Sequence, residues 1–300
     1  MKQIKLLADK RLAESLTDMM MDDGVLSCTI EDADADSLDE RPLYGEPGLE
    51  PENCAWPRSI VTLLIEDDFD VDTPIRIAAS AMKIDVPEVL SVEAVDENTD
   101  WVRVTQAQFP PTQVSERLWI VPTWHDVPNE NAVNLRLDPG VAFGTGSHPT
   151  THLCLEWLDQ NVTKDDTVLD YGCGTGILGI AAKLLGAKDV QGTDIDPLAV
   201  EAAKLNAQTN NAPSAFYLPN DLPAGHFSIV VANILCNPLK LLAPALIERM
   251  APQGKLVLSG ILAHQTEDII AHYQALDPQL KLTLWKQEED WVCIAGERQA

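Results

Sequence analysis

Beyond Thr167, short apolar runs alternate with stretches of helical spacing. Thr167 to Tyr171 reads as a buried strand, Ile177 to Leu185 as a helix and Asp189 to Asp194 as a strand. Pro197 stands where a first-turn proline belongs and opens a helix to Gln208. Phe216 to Leu218 and the strongly apolar Phe227 to Ala232 are strands, followed by a helix from Pro238 to Met250. A strand from Lys255 to Ser259 and a helix from Gln265 to Leu276 continue the alternation. Such alternation predicts a parallel sheet with helices on both faces. The last two strands, Leu280 to Lys286 and Trp291 to Gly296, flank a short acidic turn that leaves no room for a crossover helix. They must pair antiparallel.

The first hundred residues carry a different pattern. Ile4 to Ala8 reads as a strand, Arg11 to Met21 as an amphipathic helix, and Gly24 to Ile30 as a turn and strand. An acidic loop with Pro and Gly runs from Glu31 to Pro57; Ser59 to Ile65 is then a strand, Thr73 to Lys83 a helix and Val89 to Val95 a strand. The order βαββαβ is that of a ferredoxin-like unit. Between the two patterns lies a connector punctuated by proline and by Trp101, Trp119 and Trp124, aromatic enough to be expected to pack onto the second domain. The expected organisation is a ferredoxin-like domain over 1–99, a linker over 100–131 and an α/β domain over 132–300.

Charge sharpens this picture. The chain of 300 residues carries a net charge of −26, and residues 1–100 hold 25 acidic against 8 basic side chains. A nucleic-acid backbone is repelled by such a surface, whereas a basic protein partner is attracted to it. Charges interrupt the hydrophobic start within a few residues and no apolar run reaches the length of a bilayer span, so neither a signal peptide nor a membrane helix is expected. The six cysteines are scattered without a C-x-x-C pair, as free thiols of a cytoplasmic protein would be. His148 and His152 stand four apart, but Pro149 intervenes and no glutamate follows His148, so no metal site is expected.

The candidate chemistry sits at the end of the first strand of the alternating region. Asp170-x-Gly172-x-Gly174-x-Gly176 places glycines where backbone amides and a helix start can approach a ligand. The embedded Gly174-x-Gly176-x-x-Gly179 also fits the dinucleotide fingerprint, which keeps an NAD-dependent oxidoreductase open as an alternative. Three features favour S-adenosylmethionine. Asp170 puts a carboxylate by the loop, where the ligand's cationic amino acid end would lie. Asp194 ends the second strand, where a carboxylate can accept both ribose hydroxyls. The antiparallel closing pair is typical of a class I methyltransferase sheet, a Rossmann-like fold. Upstream, the Gly-rich segment Asp138 to Thr151 offers Phe143 as a cover and the Thr151 hydroxyl as a hydrogen-bonding group. Asn233, at the end of the fourth strand, offers an amide where a methyl acceptor would enter.

Together the residues Leu137 to Thr151, Val231-Ala232-Asn233-Ile234-Leu235 and Leu258-Ser259-Gly260-Ile261-Leu262 with Gln265 resemble the PrmA family, the methyltransferases of ribosomal protein L11. The resemblance covers roughly Trp101 to Gly296. It implies cofactor contacts from Thr151, Gly172, Asp194 and Asn233, beside the expected contributions of Phe143, Gly174 and Asp170. It further implies an N-terminal ferredoxin-like domain that recognises the protein substrate, and repeated methylation of lysine or N-terminal amines of L11. Asn233 is followed by Ile234 rather than by Pro-Pro-aromatic, which favours an aliphatic amine over a planar amide or adenine nitrogen as acceptor. A dedicated general base is not evident, although His148 is conceivable. A non-catalytic adaptor for basic proteins is the second alternative.

Overall fold

The computed structural model describes residues 1–22, 25–35, 56–95, 106, 109–139, 146 and 148–299. The chain divides into two compact units, Met1–Val104 and Thr105–Ala300.

In the first unit, β1 (Lys2–Asp9), α1 (Lys10–Asp22), β2 (Ser27–Asp32), β3 (Arg58–Ile65), α2 (Asp72–Met82) and β4 (Glu88–Ala94) build an antiparallel sheet in the order β2-β3-β1-β4. That is the ferredoxin-like order. Ile4, Leu6 and Ala8 alternate on one face of β1 and meet Val61, Leu63 and Ile65 of β3 under Leu12, Leu16 and Met20 of α1. Most of the acidic loop expected after the second strand lies outside the described residues.

The second unit opens with a small sheet the sequence pattern does not announce. β5 (Thr112–Gln113) pairs antiparallel and β7 (Val133–Arg136) parallel with β6 (Leu118–Val121). Leu118, Ile120 and Leu135 share one core with Leu153, Ile177 and Val168, so this stretch is part of the α/β unit rather than a free tether.

The main sheet has seven strands: β8 (Thr167–Tyr171), β9 (Asp189–Thr193), β10 (Ala215–Tyr217), β11 (Phe227–Asn233), β12 (Met250–Leu262), β13 (Leu280–Glu288) and β14 (Trp291–Arg298). Their order is β10-β9-β8-β11-β12-β14-β13, with β10 to β12 parallel and β14 antiparallel to both neighbours. Consecutive residues of β11 go to opposite cores. Ile229 and Val231 pack toward α3 (Pro149–Asn161), α4 (Ile177–Leu184) and α5 (Pro197–Thr209), whereas Val230 and Ala232 pack toward α6 (Cys236–Glu248) and α7 (Thr266–Leu276). Two-sided burial explains why these strands read as unbroken apolar runs. None of the described helices is long and apolar enough to cross a membrane.

A close backbone approach fixes where β12 meets the crevice. Gly260 has φ +84°, and a Cβ there would lie 2.3 Å from the Ile234 carbonyl oxygen. The pairing of β12 with β14 shifts register at the same place. Gly260→Ala is expected to destabilise the second unit by about 3 kcal/mol or more, through backbone strain and displacement. Gly225→Ala, whose new methyl meets nothing nearer than Phe227 at 4.0 Å, should stay within about 0.5 kcal/mol. Equal denaturant midpoints for the two variants would refute this account.

Candidate active site

The crevice is built at the carboxyl ends of β8, β9 and β11, where the sheet's crossover direction reverses. After Tyr171 the chain must leave a strand and enter α4 within five residues, and it does so through left-handed backbone at Gly172 (φ +77°), Gly174 (+52°) and Gly176 (+79°). Space enforces two of these glycines. A Cβ on Gly172 would stand 2.4 Å from Ile234, and one on Gly176 would stand 2.9 Å from Ala203.

Backbone and side-chain bonds hold the turn from several sides. The amides of Gly172 and Cys173 donate to the Thr193 carbonyl at 2.8 and 3.0 Å. The Gly174 amide donates to Asp194 Oδ2 at 2.8 Å, and the Asp196 amide donates to Asp194 Oδ1 at 3.0 Å. Asn206 Nδ2, on α5, donates to the Thr175 carbonyl at 2.9 Å. Asp194 therefore sits at the tip of β9 as expected, but it also clamps the glycine loop directly.

Asp170 is fully buried, and its Oδ2 accepts the Gly179 amide at 2.9 Å inside the first turns of α4. Its other oxygen, Oδ1, is buried without a hydrogen-bond partner among the described residues. Through Oδ2 the residue props the loop and helix, and Gly179 lets α4 pass close enough for this bond, since a Cβ there would meet Asp170 at 3.3 Å. Burial is the main force raising its pKa to about 7; the Gly179 bond opposes the rise, and the Asp194 charge adds to it. Burial likewise pushes the Cys173 thiol far up, so it stays protonated and unreactive.

Two residues 82 positions apart meet at the opposite wall. Asn233 Nδ2, at the end of β11, donates to Thr151 Oγ1, in the first turn of α3, at 3.2 Å. Thr151 is itself buried. Phe143 lies outside the described residues. Ile195 was not singled out from sequence, yet its apolar side chain is 84% exposed directly after Asp194. Its signal was a lone apolar residue between two aspartates at a strand tip. Asn206 was missed as well, because nothing in a helix's polar face announces a bond to a distant loop.

The buried carboxyl has a consequence for stability. With its folded pKa raised from 3.8 to about 7, Asp170 binds its proton more tightly when folded. The stability it contributes is present at acid pH and lost as pH rises between those values. Asp170→Asn should flatten this decline, which is on the order of a few kcal/mol between about pH 4 and pH 7. Parallel stability-versus-pH curves for parent and variant would contradict the assignment.

Comparison with known proteins agrees with this architecture. The family model "Ribosomal protein L11 methyltransferase (PrmA)" matches residues 1–299. A ribosomal protein L11 methyltransferase of Cupriavidus taiwanensis is 53% identical over 286 residues, covering 95% of each chain. One of Ralstonia nicotianae is 51% identical over 288 residues, covering 96% of this chain and 95% of its own. The crystal structure of a ribosomal protein L11 methylase from Lactobacillus delbrueckii subsp. bulgaricus, 34% identical, superposes with a TM-score of 0.57 over 64% of this chain and all of its own. A match along essentially the whole length, from both units, is decisive: the chain belongs to the PrmA family of ribosomal protein L11 methyltransferases.

Proposed function

We propose that this chain transfers methyl groups from S-adenosylmethionine to lysine side-chain or N-terminal amines of ribosomal protein L11, in the cytoplasm. The observation that carries the reading is the glycine turn clamped by Asp194 at the tip of β9. It suits the cofactor in three respects. Positive-φ glycines expose backbone where side chains would intrude. Asp194 supplies a carboxylate for a ribose, and the exposed Ile195 beside it supplies an apolar surface for a purine. Asp194, partly exposed at the loop, places an acidic group where a cationic ligand is favoured over an anionic one.

When bound, the cofactor supplies an electrophilic sulfonium methyl, so little covalent chemistry is left to the protein. Gly172 and Gly174 would hold its amino acid end, Asp194 its ribose, and Phe143 would cover it. Thr151 and Asn233, already joined to each other, would contact the cofactor, and Asn233 would also face the entry for the amine. The acceptor nitrogen would have to reach the methyl as a neutral amine, with its lone pair free to receive it. The chain's contribution is orientation of nucleophile and methyl, together with exclusion of water. The first domain, 1–99, would hold the substrate, with its acidic surface drawing a basic protein. The NAD-dependent and adaptor alternatives have no support in the family match.

Incubation of the purified chain with L11 and methyl-labelled cofactor should label L11, with mass spectrometry placing the label on amines. Unlabelled L11 under conditions where the cofactor binds would overturn the substrate assignment. Asp194→Ala should weaken S-adenosylmethionine binding by about a hundredfold, equivalent to roughly 3 kcal/mol for charge-assisted bonds to the ribose and the loop amide. Calorimetric titration measures this directly, and NAD should produce no heat of binding. An unchanged affinity in the variant would place the nucleoside elsewhere.

A further inference from the structure

The first turn of α3 is held by an unusual cap. His148 precedes the helix in extended conformation (φ −76°, ψ 137°), and its Nδ1 accepts the Thr150 amide at 3.3 Å. The same nitrogen lies 2.8 Å from Thr150 Oγ1, and the His148 carbonyl accepts the amides of Thr151 and His152. Pro149, at the helix's first position, brings no amide of its own. A helix start leaves its first amides without intrahelical partners, so this ring nitrogen satisfies a donor that would otherwise have none in the helix. Thr151, next along, is the residue whose hydroxyl receives the Asn233 amide at the crevice wall.

An imidazole accepts an amide proton at Nδ1 only while that nitrogen carries a lone pair, which places the ring proton on Nε2. Protonation turns Nδ1 into a donor. The Thr150 hydroxyl can reverse its bond and accept, but the Thr150 amide cannot. We propose that His148 is a positioning residue for the cofactor site: its neutral imidazole caps α3, and loss of the cap on protonation loosens the turn that carries Thr151. The inference rests on the reading that this crevice binds S-adenosylmethionine.

The surroundings of the ring fit this role. Trp291, opening β14, presents its ring edge-on at 4.9 Å and 69°. Burial lowers the pKa of His148, opposed by the charge of Glu289 on the β13–β14 turn. Glu288 on the same hairpin lies 3.6 Å from His152 Nδ1, and His152 Nε2 is 3.2 Å from the Gln113 carbonyl on β5. The neutral ring is thus the favoured form near neutrality, with acidic groups at hand to stabilise the cation as pH falls. The sign follows: with the folded pKa depressed below 6.5, the cap is complete above 6.5 and is lost only as pH falls through the lower folded value.

The test is calorimetric titration with S-adenosylmethionine at about pH 8 and in steps down to about pH 4.5, on parent, His148→Asn and His148→Ala. Asparagine is an efficient cap that gains no proton, so His148→Asn should bind within about twofold of the parent at the higher pH. His148→Ala should bind about fivefold more weakly there, the usual consequence of losing a cap. On acidification the parent should lose about fivefold more affinity than His148→Asn, and Asp170, present in all three, cancels from that ratio. Identical pH ratios for parent and His148→Asn would overturn the inference, as would an alanine variant equal to the parent at the higher pH. If the alanine variant fails to fold, the parent-to-asparagine ratio decides alone. Absence of any binding by the parent at the higher pH would instead remove the cofactor reading itself, and this inference with it.

Discussion

Five residues must carry the chain from the end of β8 into α4 while keeping backbone, not side chains, at the mouth of the crevice. Everything at the site depends on how that turn is kept in place, because left-handed glycines have no preference strong enough to hold it by themselves. The Thr193 carbonyl takes two of its amides, and Asp194 takes a third. Asn206 secures the carbonyl side, and Asp170 secures the following helix from below. The loop is preorganised by its neighbours, so a ligand need not spend binding energy ordering it.

Two of these supports are carboxylates, and they are not equivalent. Asp194 is partly exposed and accepts backbone amides through both oxygens. Asp170 is sealed off with one oxygen bonded to Gly179 and the other buried without a partner, so its charge is resisted. A cationic ligand over the loop would favour the ionised form of Asp170, whereas an anionic pyrophosphate would oppose it. The electrostatics thus agree with the family membership in disfavouring a dinucleotide, although the glycine spacing alone admits one.

Legibility from sequence followed the physics of each element. Strand β11 was plain because burial on both faces makes it a nearly continuous apolar run, and α5 was announced by Pro197 in its first turn. The small sheet over 112–136 was not legible, since strands of two and four residues are too short to show a period. Asp170 was placed at the loop from sequence, but its full burial and its bond to the Gly179 amide were not foreseen. Whether a strand-end side chain faces the crevice or the helix above depends on how closely that helix passes, and only Gly179 hints at the close passage. The Thr151–Asn233 bond joins residues that local patterns cannot relate; only the family resemblance put both at one site.

The antiparallel ending of the sheet has a role beyond closing its edge. Ligands in such folds sit at the carboxyl ends of the parallel strands, which β12 reaches at Leu262. A strand parallel to β12 would arrive there with its last residue and need a further loop to contribute to the crevice. Because β14 runs the other way, it begins there: Trp291 pairs with Leu262, and the turn before it carries Glu288 and Glu289 to the same rim. One hairpin therefore delivers an aromatic ring to His148 and a carboxylate to His152. The reversed strand direction is what places side chains from the end of the domain against the start of α3, and so ties the last segment of the fold to the wall that holds Thr151.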